Sequence, residues 1–154
     1  MRKTEEGKKR VMENQFEESV GETTSIGIPP IQLSLAMNAD RSLNAQDFET
    51  IDKLASGSAL LISIHSAAVG TRYLLDEEET TAGRDRHSDI FLDDATVSRH
   101  HAIFKKEADH YTLIDAGSLN GTYVNMKRIE NPIDLHTGDV IMIGRFKFLY
   151  YFKQ

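Results

Sequence analysis

Short β-rich runs separated by turn residues occupy the chain from Ser58 to residue 154. In order, the runs are ALLISI, TRYLLD, ETTAG, DIFL, HAIFK, HYTLID, GTYVN, DVIMIG and RFKFLYYF. No long helical pattern interrupts them, and Asn120-Gly121 and His136-Thr137-Gly138-Asp139 are typical turn sequences. Runs of this length and spacing predict an all-β sandwich or barrel.

Residues 1–57 have a different character. They are rich in Glu, Lys, Asn, Ser and Thr and lack the alternating apolar pattern of strands. Such a segment buries too little apolar surface to offset the entropy lost on ordering. We therefore expect a largely disordered arm over residues 1–57 and one compact domain over residues 58–154; the regulatory role of the arm is implied only by the family resemblance given below.

One stretch of the arm, LNAQDFETIDKLASG, has the pattern of a short helix. Asn44 is a suitable N-cap, and Leu43 and Phe48 are spaced to form a hydrophobic staple across it. Gly57 is a suitable residue to end the helix. A helix of about a dozen residues is marginal in isolation, so this one requires an apolar surface to pack on.

Composition excludes several classes of site. The chain of 154 residues has no cysteine, which rules out disulfides, zinc-thiolate sites and cysteine nucleophiles and suits a reducing compartment. Its first residues, MRKTEEGKKRVMEN, contain no apolar run, so we expect a cytoplasmic protein without membrane attachment. The net charge of -6 argues against nucleic acid as a partner. The histidines lack metal-binding spacing, and we expect neither a metal nor a cofactor.

The polar residues that stand out in the β-rich part fall in three turns. These turns contain Gly83-Arg84, Ser98-Arg99-His100-His101 and Gly117-Ser118-Leu119-Asn120-Gly121. Guanidinium, hydroxyl and amide groups are donors suited to an anion attached to a peptide, and no obvious carboxylate base lies within these stretches. The chemistry favours binding over catalysis.

In this order and on this background, the sequences AGR, SRHHA and GSLNGTYVN resemble the signature of forkhead-associated domains. The resemblance implies a β-sandwich of about eleven strands whose loops at one edge bind phosphothreonine peptides. By motif position, Arg84 and Ser98 contact the phosphate. Arg99 adds a phosphate or backbone contact, and Asn120 holds the peptide main chain.

The same resemblance assigns structural roles to Gly83, His101 and Gly121, with His101 bracing the loops. Many members of the family have threonine just before the Asn-Gly pair, where this chain has Leu119. The hydroxyl contact is lost at that position, and Ser118 is the candidate to replace it.

The sequence GETTS in the arm, which contains Thr23 and Thr24, resembles a group of small bacterial regulators, the oxoglutarate dehydrogenase inhibitors and glycogen accumulation regulators. The resemblance implies that a Ser/Thr protein kinase phosphorylates Thr23 or Thr24, and that the domain then binds its own arm. It also implies that the unphosphorylated form inhibits 2-oxoglutarate dehydrogenase E1, glutamate dehydrogenase or both. The sequence departs from the group after ETTS, where it continues with IGIPP.

Two other interpretations remain to be compared with this one. The first is an adaptor that recruits phosphorylated partners in trans. The second is an enzyme using Asp115, Ser118 and His101 as a triad, but the chain lacks a G-x-S-x-G elbow and a P-loop. We therefore expect a binding protein and no catalytic residues.

Overall fold

In the described part of the chain, two β-sheets pack face to face with one helix on the outside. The computed structural model describes residues 43–65 and 70–154, so the candidate phosphorylation sites Thr23 and Thr24 lie outside the described residues. The helix α1 spans Ala45–Asp52. The strands are β1 Ala59–His65, β2 Arg72–Leu75, β3 Glu79–Gly83, β4 Ile90–Phe91, β5 Ala102–Lys106, β6 Tyr111–Asp115, β7 Thr122–Val124, β8 Lys127–Arg128, β9 Ile133–Asp134, β10 Val140–Ile143 and β11 Phe146–Phe152.

The sheets have six and five strands, in the orders β2-β1-β11-β10-β7-β8 and β4-β3-β5-β6-β9. All paired strands are antiparallel except β3 and β4, which pair in parallel through Ala82↔Ile90 and Gly83↔Phe91. The predicted all-β sandwich is confirmed. Sequence reasoning from periodicity missed β8 and β9, which are two residues long, exposed and without alternation.

Alternation along the strands produces two apolar cores. The inner core lies between the sheets and contains Leu61, Tyr73, Phe104 and Phe148, among others. The outer core lies on the other face of the six-stranded sheet. Its members are Leu43, Ile51, Leu60, Ile62, Ile64, Val140 and Leu149. Strand β1 therefore belongs to both cores, which is why six of its seven residues are buried.

Helix α1 covers the outer face of that sheet. Asn44 is its N-cap and forms a reciprocal capping box with Asp47, and Phe48 and Leu54 pack at the edge of the outer core. The predicted helix and its cap are confirmed. The prediction that Gly57 ends the helix is wrong, because α1 ends at Asp52 and the Lys53 N–H closes the last turn on the carbonyls of residues 49 and 50.

A buried ion pair fixes the helix to the sheet. Arg72 Nε donates to Asp47 Oδ1 at 2.8 Å, and the two side chains are 1% and 0% exposed. The second oxygen of the same carboxylate accepts from the Asn44 N–H at 2.9 Å. Asp47 thus caps the helix and anchors it to β2 at once. No helix in the described part of the chain has the length and apolar character needed to cross a bilayer.

Candidate functional site

The three predicted turns lie together at one end of the sandwich. They are the β3–β4 loop (84–89), the β4–β5 loop (92–101) and the β6–β7 loop (116–121). The short β10–β11 turn (144–145) joins them, since the Arg145 N–H donates to Thr96 Oγ1 at 3.1 Å. The loop end of the sandwich is therefore a hydrogen-bonded unit, and it contains every predicted contact residue.

Close backbone contact joins the first two loops at Gly83. The Arg84 N–H donates to the Ser98 carbonyl at 2.9 Å, and the Asp85 N–H donates to the Arg99 carbonyl at 3.2 Å. A Cβ atom on Gly83 would lie 2.0 Å from the Arg99 carbonyl oxygen. Only glycine permits this approach, so Gly83 sets the distance between Arg84 and Ser98.

The Arg84 side chain is held at one point and exposed elsewhere. Its Nε donates to the Val97 carbonyl at 2.9 Å. This bond orients the guanidinium group of an exposed side chain and engages neither of its two terminal nitrogens. Two terminal nitrogens in one plane are the geometry that binds phosphate oxygens in pairs.

His101 is fully buried and connects the loops through both ring nitrogens. Its Nδ1 accepts from the Ser98 N–H at 3.0 Å. Nε2 must then carry the proton, and it donates to the Gly121 carbonyl at 2.9 Å. With its ring inaccessible and both nitrogens occupied, His101 positions Ser98 against the β6–β7 loop and is unsuited to catalysis.

The β6–β7 loop is tied to Ser98 and Thr96. The Leu119 N–H donates to Ser98 Oγ at 2.9 Å, and Asn120 Nδ2 donates to the Thr96 carbonyl at 3.0 Å. This second bond turns the amide so that Oδ1, which has no partner among the described residues, is available to accept from a peptide N–H. Gly121 has a φ of 87°, which glycine adopts without strain.

Ser118 and Leu119 have opposite exposures. Ser118 is 8% exposed and Leu119 is 84% exposed. The Ser118 hydroxyl accepts from the Gly121 N–H at 2.9 Å, while the Asp115 carboxylate accepts from the Ser118 N–H at 3.1 Å. In this conformation the Ser118 hydroxyl stabilises the turn, and Asp115 acts as a turn former.

Thr96 connects three of the loops. Its hydroxyl donates to Asp94 Oδ1 at 2.6 Å, and its N–H donates to the same oxygen at 2.8 Å. These two bonds hold the pKa of Asp94 below its usual range. Gly144 packs tightly here, since a Cβ atom on it would lie 2.5 Å from Thr96 Oγ1. At Thr96, the loop that presents Ser98 is thus hydrogen-bonded to both the β6–β7 loop and the β10–β11 turn.

An open groove of about 500 Å³ lies beside Arg84. Its lining residues are Arg84, Asp85, Arg86, Phe91 and Arg99. The three arginines are exposed. Asp85 faces its own loop, because its carboxylate accepts from the His87 N–H at 2.9 Å. That hydrogen bond holds the pKa of Asp85 below its usual range.

Sequence reasoning missed three of the described lining residues, Asp85, Arg86 and Phe91. Arg86 is two residues from Arg84 in the same loop, and this proximity was the available signal. Phe91 belongs to the β-rich run DIFL, and it is 41% exposed. The groove combines local positive charge with an aromatic wall on a chain whose net charge is -6. It is suited to a phosphorylated or acidic peptide.

Comparison with known proteins matches the family described as FHA domain to residues 80–144. Over 100 residues the chain is 50% identical to the oxoglutarate dehydrogenase inhibitor of Corynebacterium jeikeium, covering 65% of this chain and 69% of that protein. It is 47% identical over 100 residues to the glycogen accumulation regulator GarA of Mycolicibacterium smegmatis, covering 65% and 63%.

Among solved structures, Mycobacterium tuberculosis EmbR in complex with a low affinity phosphopeptide superposes with a TM-score of 0.59 at 30% identity. The match covers 73% of this chain and 33% of EmbR. The matched FHA region contains Arg84, Ser98 and Asn120, as well as the groove residues Arg86 and Phe91.

Proposed function

Since the chain belongs to the FHA-domain family that includes the oxoglutarate dehydrogenase inhibitors and GarA, we propose that it is a phosphothreonine-binding regulator of 2-oxoglutarate or glutamate metabolism. Unphosphorylated, it binds and inhibits 2-oxoglutarate dehydrogenase E1, glutamate dehydrogenase or both in the cytoplasm. A Ser/Thr protein kinase modifies Thr23 or Thr24, and the phosphorylated arm then occupies the loop-end site and releases the enzyme.

The observation that carries this proposal is the fixed arrangement of Arg84, Ser98 and Asn120. Phosphorylation adds about -1.5 to -2 charges and three acceptor oxygens to a threonine. Charge-assisted hydrogen bonds from Arg84, Arg99 and the Ser98 hydroxyl stabilise that group, whereas a neutral hydroxyl gains little there. The Asn120 oxygen, already oriented by Thr96, fixes the peptide main chain.

The position of helix α1 supports binding in cis. Its first turn contacts β2 through Asp47 and Arg72, and its last residue, Asp52, accepts from Lys153 at the far end of the sheet. The helix therefore enters from the side of the sandwich where the site lies.

The chain between Thr24 and Leu43 is long enough to reach the site. A flexible chain of about 20 residues has an r.m.s. span of roughly 25 Å, comparable with the diameter of a domain of this size. At an effective concentration of about 1 mM, a site with micromolar affinity is occupied about a thousand times more often than it is empty. Phosphorylation then closes the protein on itself.

The test is a titration of purified 2-oxoglutarate dehydrogenase complex, and separately of glutamate dehydrogenase, with unmodified and Thr-phosphorylated protein. We expect inhibition of at least one enzyme by the unmodified form alone. A kinase-treated Thr23→Ala/Thr24→Ala preparation is the control and should inhibit as the unmodified protein does. Equal inhibition by both forms, or none by either, contradicts the proposal.

A second measurement separates regulation in cis from the adaptor function in trans. NMR spectra before and after phosphorylation should show shifts at Arg84, Ser98 and Asn120 that do not depend on protein concentration. A domain that prefers foreign phosphothreonine peptides while its phosphorylated arm stays unbound would be an adaptor.

A further inference from the structure

The groove beside Arg84 contains more positive charge than the proposed phosphate contacts use. Arg84 and Arg99 are assigned to the phosphate, yet Arg86 lines the same groove. Arg86 is exposed and has no hydrogen bond or ion pair with any residue in 43–65 or 70–154. One guanidinium group is therefore left to bind a second anionic group.

Three arginines against one aspartate leave the described lining of the groove with a net positive charge. Among the described lining residues Asp85 is the only acidic one, and its Oδ1 accepts from the His87 N–H and lies 3.4 Å from His87 Nδ1. Phe91, 41% exposed, covers one side of the groove. An aromatic wall excludes water locally and strengthens charge interactions beside it.

The two sides of the phosphate site differ in chemistry. On the Ser98 side lies Leu119, apolar and 84% exposed. Arg86 and Phe91 line the groove beside Arg84, to whose described lining the β6–β7 loop contributes no residue. The sequence around the threonines is asymmetric in the same way, because Glu22 precedes them and the apolar Ile26 follows. Pairing acidic Glu22 with Arg86 and apolar Ile26 with Leu119 places the residues that precede the threonines at Arg86.

Strand periodicity then distinguishes the two threonines. In an extended peptide, side chains two residues apart share a face and lie about 6.6 Å apart along the chain. Glu22 shares a face with Thr24 and points away from the face of its neighbour Thr23. Only a phosphate on Thr24 places the Glu22 carboxylate on the groove side.

We propose that Arg86 and Phe91 form a second, anion-binding subsite that binds the Glu22 carboxylate. This subsite selects phosphothreonine at position 24 over position 23. The inference rests on the proposed function, since it assumes that the arm is the ligand. It adds the identity of the threonine, the direction of the peptide and a specificity residue, Arg86.

The experiment is a double-mutant cycle with unphosphorylated full-length protein and synthetic peptides of residues 16–31. The peptides carry phosphate on Thr23 or on Thr24, each with Glu22 or with Glu22→Gln. The proteins are the natural chain, Arg86→Gln and the charge-matched control Lys105→Gln, which alters an exposed residue of β5 outside the groove. Affinity is measured by isothermal titration calorimetry.

The natural protein should bind the phospho-Thr24 peptide about threefold to fivefold more tightly than the phospho-Thr23 peptide, the range expected for one partly exposed ion pair. Glu22→Gln in the peptide and Arg86→Gln in the protein should each remove that gain in affinity. The two changes together should lower the affinity no more than either change alone. Lys105→Gln should leave the preference intact.

Additive losses in the cycle, or tighter binding of the phospho-Thr23 peptide, overturn the subsite while leaving phosphothreonine binding in place. Failure of every phosphopeptide to bind the natural protein overturns the proposed function itself. The two failures are therefore distinguishable in one set of titrations.

Discussion

Arginine appears in two opposite environments in this protein. Arg72 is 1% exposed and paired with Asp47 under helix α1, whereas Arg84, Arg86 and Arg99 are exposed around a groove. A buried guanidinium with a dedicated carboxylate is already neutralised and serves the fold. Exposed guanidinium groups fixed by their loops keep their charge for a ligand. Side-chain surroundings, and not residue type, separate structural from binding arginines here.

The sharpest test of this contrast removes the carboxylate partner of Arg72. Asp47→Ala leaves a charge buried without its ion pair, and we expect the free energy of unfolding to fall by about 3–5 kcal/mol. Urea denaturation measures it. The double variant Asp47→Leu/Arg72→Met is the control and should recover most of the loss, because apolar groups replace both charges. A fall of less than about 1 kcal/mol in the free energy of unfolding for Asp47→Ala would show that the Arg72–Asp47 pair does not serve the fold.

The complementary change acts on the groove. Arg84→Ala/Ser98→Ala should weaken binding of an arm phosphopeptide by about 100-fold or more, since charge-assisted hydrogen bonds contribute about 1.5–3 kcal/mol each. Unfolding should change by only about 1–2 kcal/mol, mainly through the lost bond between Ser98 and the Leu119 N–H. Arg84→Lys is the control, with intermediate affinity because it keeps the charge and loses the paired geometry. Unchanged affinity in the double variant would show that the phosphate binds elsewhere.

A third variant changes Gly83, where the close backbone contact sets the distance between Arg84 and Ser98. Gly83→Ala places a methyl group against the Arg99 carbonyl, so the first two loops must separate. We expect a loss of about 1–3 kcal/mol in unfolding and about tenfold in phosphopeptide affinity. Amide shifts confined to residues 83–85 and 97–101 would locate the strain. Native affinity together with native stability would mean that the loops tolerate separation.

The smallest effect is expected at Leu119, beside Ser98. Leu119→Thr supplies a hydroxyl near Ser98 and should tighten phosphopeptide binding about threefold, the value of a modest additional hydrogen bond. Stability should not change, since the side chain is 84% exposed. Leu119→Val is the matched control without a hydroxyl. Equal gains for both variants would assign the effect to shape.

Sequence alone located most of the scaffold and all the proposed phosphate contacts. The nine β-rich runs coincide with β1 to β7, β10 and β11 because alternation and turn residues are local signals. The N-cap residue predicted helix α1 correctly, but the sequence did not predict where the helix ends. The Lys53 N–H, bonded to two carbonyls of the last turn, closes the helix before Gly57 is reached.

The features that sequence did not reveal depend on tertiary contacts. Asp47 is recognisable as a helix-cap residue, yet nothing local pairs it with Arg72, 25 positions along the chain. The burial of Ser118 and the exposure of Phe91 likewise depend on how loops from different strands meet. Arg86 was recognisable as charged, but its place in the groove was set by the parallel β3–β4 pairing.

The burial of β1 on both faces has a practical consequence for anyone who dissects this protein. A fragment beginning at Ser58 would keep every strand and every proposed ligand contact, but it would lose Leu43 and Ile51 from the outer core. The bared sheet would present Leu60, Ile62 and Leu149 to water and invite self-association. Fragments made by cloning or limited proteolysis should therefore retain Leu43 and helix α1, because they cover the outer core of the domain.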